Sequence, residues 1–309
     1  ASVDTLPAPA VQVALPPYSL GKSHYRQFRI RVRIENLGDI ESQNIRLQIP
    51  VLSRLDSPYQ VIESETFSLE PVEITQEGFY SRSAHFLISG LSPGETASIN
   101  ITYKLVTYPL TANFSAYSGA SSSAVEAAFL QPSPNIESSH PEIAARAEQI
   151  TSGARDDLEK SRAIYQFVRQ HMRYDSNAAC RNQGALTALR EKAGVCEDYA
   201  ALFVALCRAV DIPARQVNGY ADPKGTGQRW DQLTQTFPLR GYRHSWAEFY
   251  LAGAGWLPAD PTMDISAQDL RYFGCLPYCS HIAQNYHDHS VRIRFQGGRL
   301  AATWEEELI

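Results

Sequence analysis

The hydrophobic positions change their spacing twice along the chain. From Tyr25 to Leu105 they recur at every second residue. Phe28, Ile30, Val32 and Ile34 alternate with Arg29, Arg31 and Arg33. The same alternation runs through Ile45, Leu47, Ile49 and Val51, then Ala84, Phe86 and Ile88, then Ile99, Ile101, Tyr103 and Leu105. Successive side chains on a strand point to opposite faces, so each run predicts a strand with one buried and one wet face. Asn36-Leu37-Gly38-Asp39 and Ser92-Pro93-Gly94-Glu95 supply the turn residues between such strands. Residues 20–110 therefore read as an antiparallel sandwich, with 1–19 as a Pro- and Ala-rich strap and 111–140 as a Ser/Ala/Pro-rich linker.

Helical spacing begins at Pro141, a residue well suited to a first helical position. Ile143, Ala147 and Ile150 form one stripe, and Ile164, Phe167, Val168 and Met172 form a second. A third runs through Val195, Tyr199, Leu202, Phe203, Leu206 and Val210. Alternation then returns at Val217–Tyr220 and at His244–Leu251, where Ala247, Phe249 and Leu251 point one way and His244, Trp246, Glu248 and Tyr250 the other. Gly253-Ala254-Gly255 is a turn, and Trp256–Asp260 returns as a partner strand. In an even-register hairpin His244 and Asp260 share a face. Val291, Ile293 and Phe295, then Gly297-Gly298, then Leu300 and Ala302 predict a last hairpin. The whole of 141–309 reads as one α+β unit, with the long polar and aromatic stretch 221–242 as a loop of the lid kind.

Composition narrows the function classes. At 309 residues there is room for two domains, and the net charge of -5 offers no basic footprint for nucleic acid. No run of about 18 apolar residues spans a membrane. The opening Ala-Ser-Val suits a chain freed of a signal peptide, or one shortened for other reasons; the first points to an extracellular, periplasmic or cell-surface location. Five cysteines leave at least one thiol unpaired in an oxidising compartment. Cys207 falls inside a helical stripe as a buried thiol, and up to one bridge is expected among Cys180, Cys275 and Cys279.

Cys196 opens the third helical stripe, directly after Gly194-Val195. The positive end of a helix favours a thiolate there, although a buried core thiol would show the same local pattern. His244 and Asp260 supply the other two roles that acyl transfer needs: an imidazole to move protons and a carboxylate to fix its tautomer. The Cys196 backbone N–H can donate to an oxyanion, with Tyr174 as the candidate second donor and Gln183 in reserve. Tyr220, Trp230 and Trp246 are groove candidates, Trp246 also reading as packing beside the histidine. Glu248 reads as a structural carboxylate, and Arg208 and Arg215 as salt-bridge partners.

Three blocks, in order, resemble the transglutaminase-like superfamily: Gly194-Val195-Cys196-Glu197-Asp198-Tyr199-Ala200 with Arg208–Arg215 and Gly219-Tyr220, then His244-Ser245-Trp246-Ala247-Glu248, then Trp256-Leu257-Pro258-Ala259-Asp260-Pro261-Thr262. Asp211 replaces the usual glycine before Ile212-Pro213, and Ser245 a common alanine. The resemblance covers about residues 140–290. It implies a papain-like α+β core, with Cys196, His244 and Asp260 as a triad working through an acyl-thioenzyme. The sandwich lies outside it; the segments Glu35-Asn36-Leu37-Gly38-Asp39 and Ser92-Pro93-Gly94-Glu95 resemble those of bacterial immunoglobulin-like or fibronectin-like adhesion modules. The bacterial members suggest a cysteine protease or amidase acting on protein or peptide amides, with a cross-linking transglutaminase as the alternative. A non-catalytic surface scaffold is a further alternative. The sandwich reads as a spacer or as a docking module for a cell-surface partner. No cofactor is expected. The crowd of Cys275, Cys279, His281, His287 and His289 matches no standard zinc spacing, so no metal site is expected, and no EF-hand loop signals a calcium requirement.

Overall fold

The protein is described here by a computed structural model, which describes residues 15–53, 57–77, 81–117, 119, 126–222, 230, 235–264, 270–285 and 290–309. Most of the N-terminal strap, the Ser-rich part of the linker, half of the loop 221–242, and His287 and His289 lie outside the described residues.

The strands of the first half are β1 (Tyr18–Leu20), β2 (His24–Asn36), β3 (Ser42–Val51), β4 (Gln60–Phe67), β5 (Glu73–Glu77), β6 (Ser81–Leu91), β7 (Thr96–Thr107) and β8 (Leu110–Ala112). Then come α1 (Pro141–Thr151), α2 (Asp157–His171), β9 (Arg173–Tyr174), α3 (Ala185–Glu191), β10 (Ala193–Gly194) and α4 (Cys196–Ala209). The chain continues with β11 (Ala214–Ala221), β12 (Phe237–Pro238), β13 (Arg243–Leu251), β14 (Gly255–Ala259), β15 (Cys275–Leu276), β16 (His281–Ala283), β17 (Arg292–Gln296) and β18 (Leu300–Leu308).

Two antiparallel sheets, ordered β12-β18-β2-β7-β4 and β17-β3-β6-β5, share one apolar cluster. The alternating residues Phe28, Ile30, Val32 and Ile34 meet Ile45, Leu47 and Ile49 inside it. The outward arginines of β2 are met by acids across the strand pair: Arg29 bonds Glu307, and Arg31 reaches Glu305 at 3.7 Å and Glu307 at 3.3 Å. Two differences from the sequence expectation stand out. The terminal strands β17 and β18 do not pair with each other. Gly297 and Gly298, both at positive φ, carry the chain from one sheet to the other, so β17 completes the β3 edge and β18 pairs along nine residues of β2. This terminal segment, expected within the 141–309 unit, thus completes the N-terminal sheets. In addition β1 and β8, from the strap and linker ends, form a small sheet with β15.

The second core lies under α4. This helix is apolar nearly all round, and it packs with α1, α2 and α3 on one side and with Ala247, Phe249 and Leu251 of β13 on the other. The sheet it covers is ordered β14-β13-β11-β16. Gly219 on β11 is required there, because a Cβ at that position would fall 1.9 Å from the Ile282 carbonyl oxygen of β16. No helix among the described residues is long and apolar enough to cross a membrane.

Candidate active site

The site begins with the start of α4. Gly194 ends β10, which runs parallel to β9 and places Gly194 opposite Tyr174. The Asp198 carboxylate folds back over this corner, accepting from the Val195 N–H at 2.8 Å and the Asn182 N–H at 2.7 Å. A Cβ on Gly194 would meet that carboxylate at 2.3 Å, so the glycine is needed for the cap to close. Burial pushes the Asp198 carboxyl up, and its backbone N–H partners act against that. Cys196 thereby occupies the first turn, partly accessible, where the orphan N–H groups of the helix converge.

His244 lies near the start of β13. The hairpin register Ala247↔Ala259 is the even one, and one further step brings Asp260 beside Trp246 and diagonal to His244. His244 Nε2 and Asp260 Oδ2 are 2.7 Å apart, and His244 also hydrogen-bonds Cys196. Burial acts to lower the His244 pKa, but the Asp260 charge and hydrogen bond, with Cys196, outweigh it and raise it to about 10. Burial would likewise raise Asp260; the His244 charge and the N–H bonds it receives hold it well below the usual carboxylate range instead. The geometry thus favours an imidazolium between a carboxylate and the sulfur.

The other side of Asp260 is occupied by a residue that the sequence groups with the cysteines and histidines of 275–289. His281, on β16 and fully buried, places Nε2 2.9 Å from the same Oδ2. Its neighbourhood gave no usable signal, since β16 is three residues long and lies close to several other histidines and cysteines. The nearest atoms of His244, Asp260 and His281 all lie within 4.8 Å, a convergence that a metal ion could exploit. Both nitrogens already face the carboxylate at hydrogen-bond distance, however, so a metal would have to displace both N–H protons.

Tyr174 is half-exposed, and burial first, then the charge of Cys196, push its phenol up. Gln183 has its side-chain amide committed to the Ala179 carbonyl at 2.9 Å. Both tryptophans read as groove candidates are buried. Trp246 is fully enclosed, stacked near His244 with ring centroids 6.0 Å apart and donating to Tyr59 Oη at 3.1 Å. Trp230 is enclosed against Tyr242 in the core of the N-terminal sheets. Tyr220, although largely buried, lines a cavity of about 760 Å³ together with Arg240, Arg243, Trp304 and Glu306. Arg243 also bears on the charge of Glu197, next to Cys196.

Behind the histidine, Glu248 and Arg215 form a buried pair with the Arg215 Nη2 to Glu248 Oε2 distance at 2.6 Å. Glu248 Oε1 accepts from Ser57 Oγ and Tyr59 Oη, both at 2.6 Å, so a loop of the N-terminal half closes the network. Arg208, the other arginine read as a salt-bridge partner, donates to the Ala214 and Gln131 carbonyls. None of the five cysteines forms a disulfide, so the single bridge that the sequence allows among Cys180, Cys275 and Cys279 is not made. Cys279 instead lies 3.4 Å from the Thr107 carbonyl oxygen, and Cys207 is buried in α4 with its thiol pushed up by that burial.

Part of the chain is similar to known proteins. Residues 144–261 match the model of the transglutaminase-like superfamily. An uncharacterized protein of Mycobacterium leprae is 31% identical over 103 residues, 33% of this chain and 34% of that protein. The kyphoscoliosis peptidase of Mus musculus is 34% identical over 113 residues, 35% of this chain and 16% of the peptidase. The chain thus spans about a third of the first relative and about a sixth of the second. Among solved structures, that of a proposed cysteine protease from Cytophaga hutchinsonii superposes with a TM-score of 0.54 at 19% identity. It covers 94% of this chain and 100% of that one, so the fold is shared along nearly the whole length.

Proposed function

This chain carries a transglutaminase-like superfamily domain at residues 144–261, and we propose that it is a thiol hydrolase that cleaves peptide or side-chain amides through an acyl-thioenzyme. The observation that carries this reading is the continuous line Cys196–His244–Asp260, with the sulfur in the first turn of α4. The relative named a peptidase supports an amide bond as the target.

Because Nε2 of His244 is committed to Asp260, Nδ1 is the nitrogen left for Cys196. The thiolate attacks the carbonyl carbon and forms a C–S bond, while the π electrons move to oxygen. The Cys196 N–H and the Tyr174 phenol are the candidate donors for that oxyanion. The intermediate collapses as the C–N bond breaks and His244 passes its proton to the leaving amine. His244, now neutral, takes a proton from water; the hydroxyl adds to the thioester, and the C–S bond breaks to return the thiolate. The products are a carboxylic acid and an amine. An immunoglobulin-like sandwich abutting a papain-like core is the domain description that fits the shared clusters.

The test is incubation of the protein with a peptide and glutamine-amide panel, with and without an added primary amine, followed by mass spectrometry. The reading expects free acid as the main product with and without amine, and no turnover by Cys196→Ala. Amine-linked product as the main species would replace hydrolysis by cross-linking. Absence of any thioester on the wild-type protein would overturn both.

A further inference from the structure

We propose that His281 is a positioning residue for this site: its Nε2–H fills the remaining acceptor position of Asp260 and holds that carboxylate charged and turned towards His244. The inference rests on the thiol–imidazole reading above and adds a residue that the reaction steps do not use.

The argument is an accounting of protons. An ionised carboxylate has about four lone-pair directions and no proton to give. On Oδ1 of Asp260, Thr262 Oγ1 donates at 2.5 Å and the Met263 N–H at 3.3 Å. On Oδ2, His244 Nε2 stands at 2.7 Å and His281 Nε2 at 2.9 Å. All four directions are therefore used, and none remains for a proton on Asp260. For this to hold, His281 must carry its hydrogen on Nε2. Its other nitrogen, Nδ1, is then an acceptor, and Ser280 Oγ lies 3.0 Å from it with a hydroxyl able to donate. The tautomer is set from both ends.

The surroundings keep His281 neutral and immobile. It is buried, and burial disfavours its charged form, as does the like charge of His244 across the carboxylate. The Trp246 indole packs edge-on at 4.8 Å between ring centroids, and Tyr272 closes another side at 6.1 Å. Pairing of β16 with β11, Ala221 opposite His281, fixes the backbone, and the close approach permitted by Gly219 lets β16 lie tight against the sheet. A buried residue with both nitrogens assigned and its ring held by two aromatics is suited to orient a neighbour rather than to shuttle protons.

Loss of the Nε2–H would leave an empty acceptor position on a buried carboxylate. Asp260 could then turn or accept a proton, and His244 would lose a fixed partner. The experiment compares wild type, His281→Leu, His281→Gln and Ser280→Ala as full-length protein, reading the pH dependence of iodoacetamide labelling at Cys196. His281→Leu keeps bulk and removes the donor; His281→Gln returns a side-chain N–H at similar reach. Labelling near pH 6 is expected to fall about ten-fold or more in His281→Leu, with the acid limb of the profile displaced upwards by about one unit. His281→Gln is expected to recover most of the rate, and Ser280→Ala to fall between wild type and Leu. Nitrogen-15 imidazole shifts of the wild type should show His281 neutral with its proton on Nε2, a readout independent of labelling and of whether the leucine variant folds. Equal profiles in wild type and His281→Leu would overturn the proposal. So would equal losses in His281→Leu and His281→Gln, which would reduce His281 to packing, or a His281 protonated on Nδ1. A wild-type profile indifferent to His244→Ala would instead defeat the thiol–imidazole reading itself.

Discussion

The two faces of the β14-β13-β11-β16 sheet are built from the same strand by opposite rules. The odd residues of β13, Ala247, Phe249 and Leu251, enter the apolar cluster around α4. The even ones, His244, Trp246 and Glu248, enter a polar and aromatic layer shared with Asp260, His281, Arg215, Ser57 and Tyr59. The helix face depends on area and tolerates exchange of one apolar residue for another of similar volume. The other face depends on each donor meeting one acceptor, so removing one member strands the rest. His244 and Asp260 of the proposed triad belong to the second face, Cys196 comes from the start of α4, and a loop of the N-terminal half supports the polar layer.

The comparison can be broken most sharply at Glu248. Glu248→Ala leaves Arg215 buried without its carboxylate, and urea unfolding should show a loss of about 3–5 kcal/mol. On the helix face, Leu251→Ala should cost about 2–4 kcal/mol by the same measurement, while the pH profile of Cys196 labelling in the folded protein stays unchanged. Tyr59→Phe removes one hydroxyl that donates to Glu248 and accepts from Trp246; a loss of about 1–3 kcal/mol is expected. Unlike Leu251→Ala, it should also slow labelling, since Trp246 packs against both histidines.

The smallest effect concerns Glu306. Burial pushes its carboxyl up to about 8 from an ordinary 4.5, even though Arg243 Nη2 lies 3.1 Å away. Arg243 is 41% exposed and shares its charge with solvent, so burial prevails. An acid whose pKa is raised on folding contributes stability that is full below pH 4.5 and is lost as the pH rises through about 8. Thermal melts of Glu306→Gln should therefore decline less between pH 6 and pH 9 than those of wild type, by about 1 kcal/mol, Arg243 keeping the difference small.

Much of this was legible in the sequence, for identifiable reasons. The alternation in β2, β3, β7 and β13 gave the correct inward faces, because burial on one side imposes period two directly. Cys196, His244 and Asp260 were legible as residue types at the start of a helical stripe and on the two arms of a hairpin. Partners that arrive from far along the chain were not. Ser57 and Tyr59 reach Glu248 across about 190 residues, and nothing local marks them. The pairing of β17 and β18 with different sheets was hidden because Gly297-Gly298 reads as a hairpin turn whether or not the two strands meet. Trp230 looked like a groove residue because it lies in a long polar stretch, yet an indole that size also fills core space.

The central claim is that His244, held by Asp260, keeps Cys196 ready as a nucleophile. Iodoacetamide labelling of Cys196 as a function of pH, in wild type and in His244→Ala, tests it most directly. Fast labelling near pH 6 that His244→Ala slows by about ten-fold or more is the predicted result. Slow labelling in both proteins, with Cys196 reached only on unfolding, would contradict it.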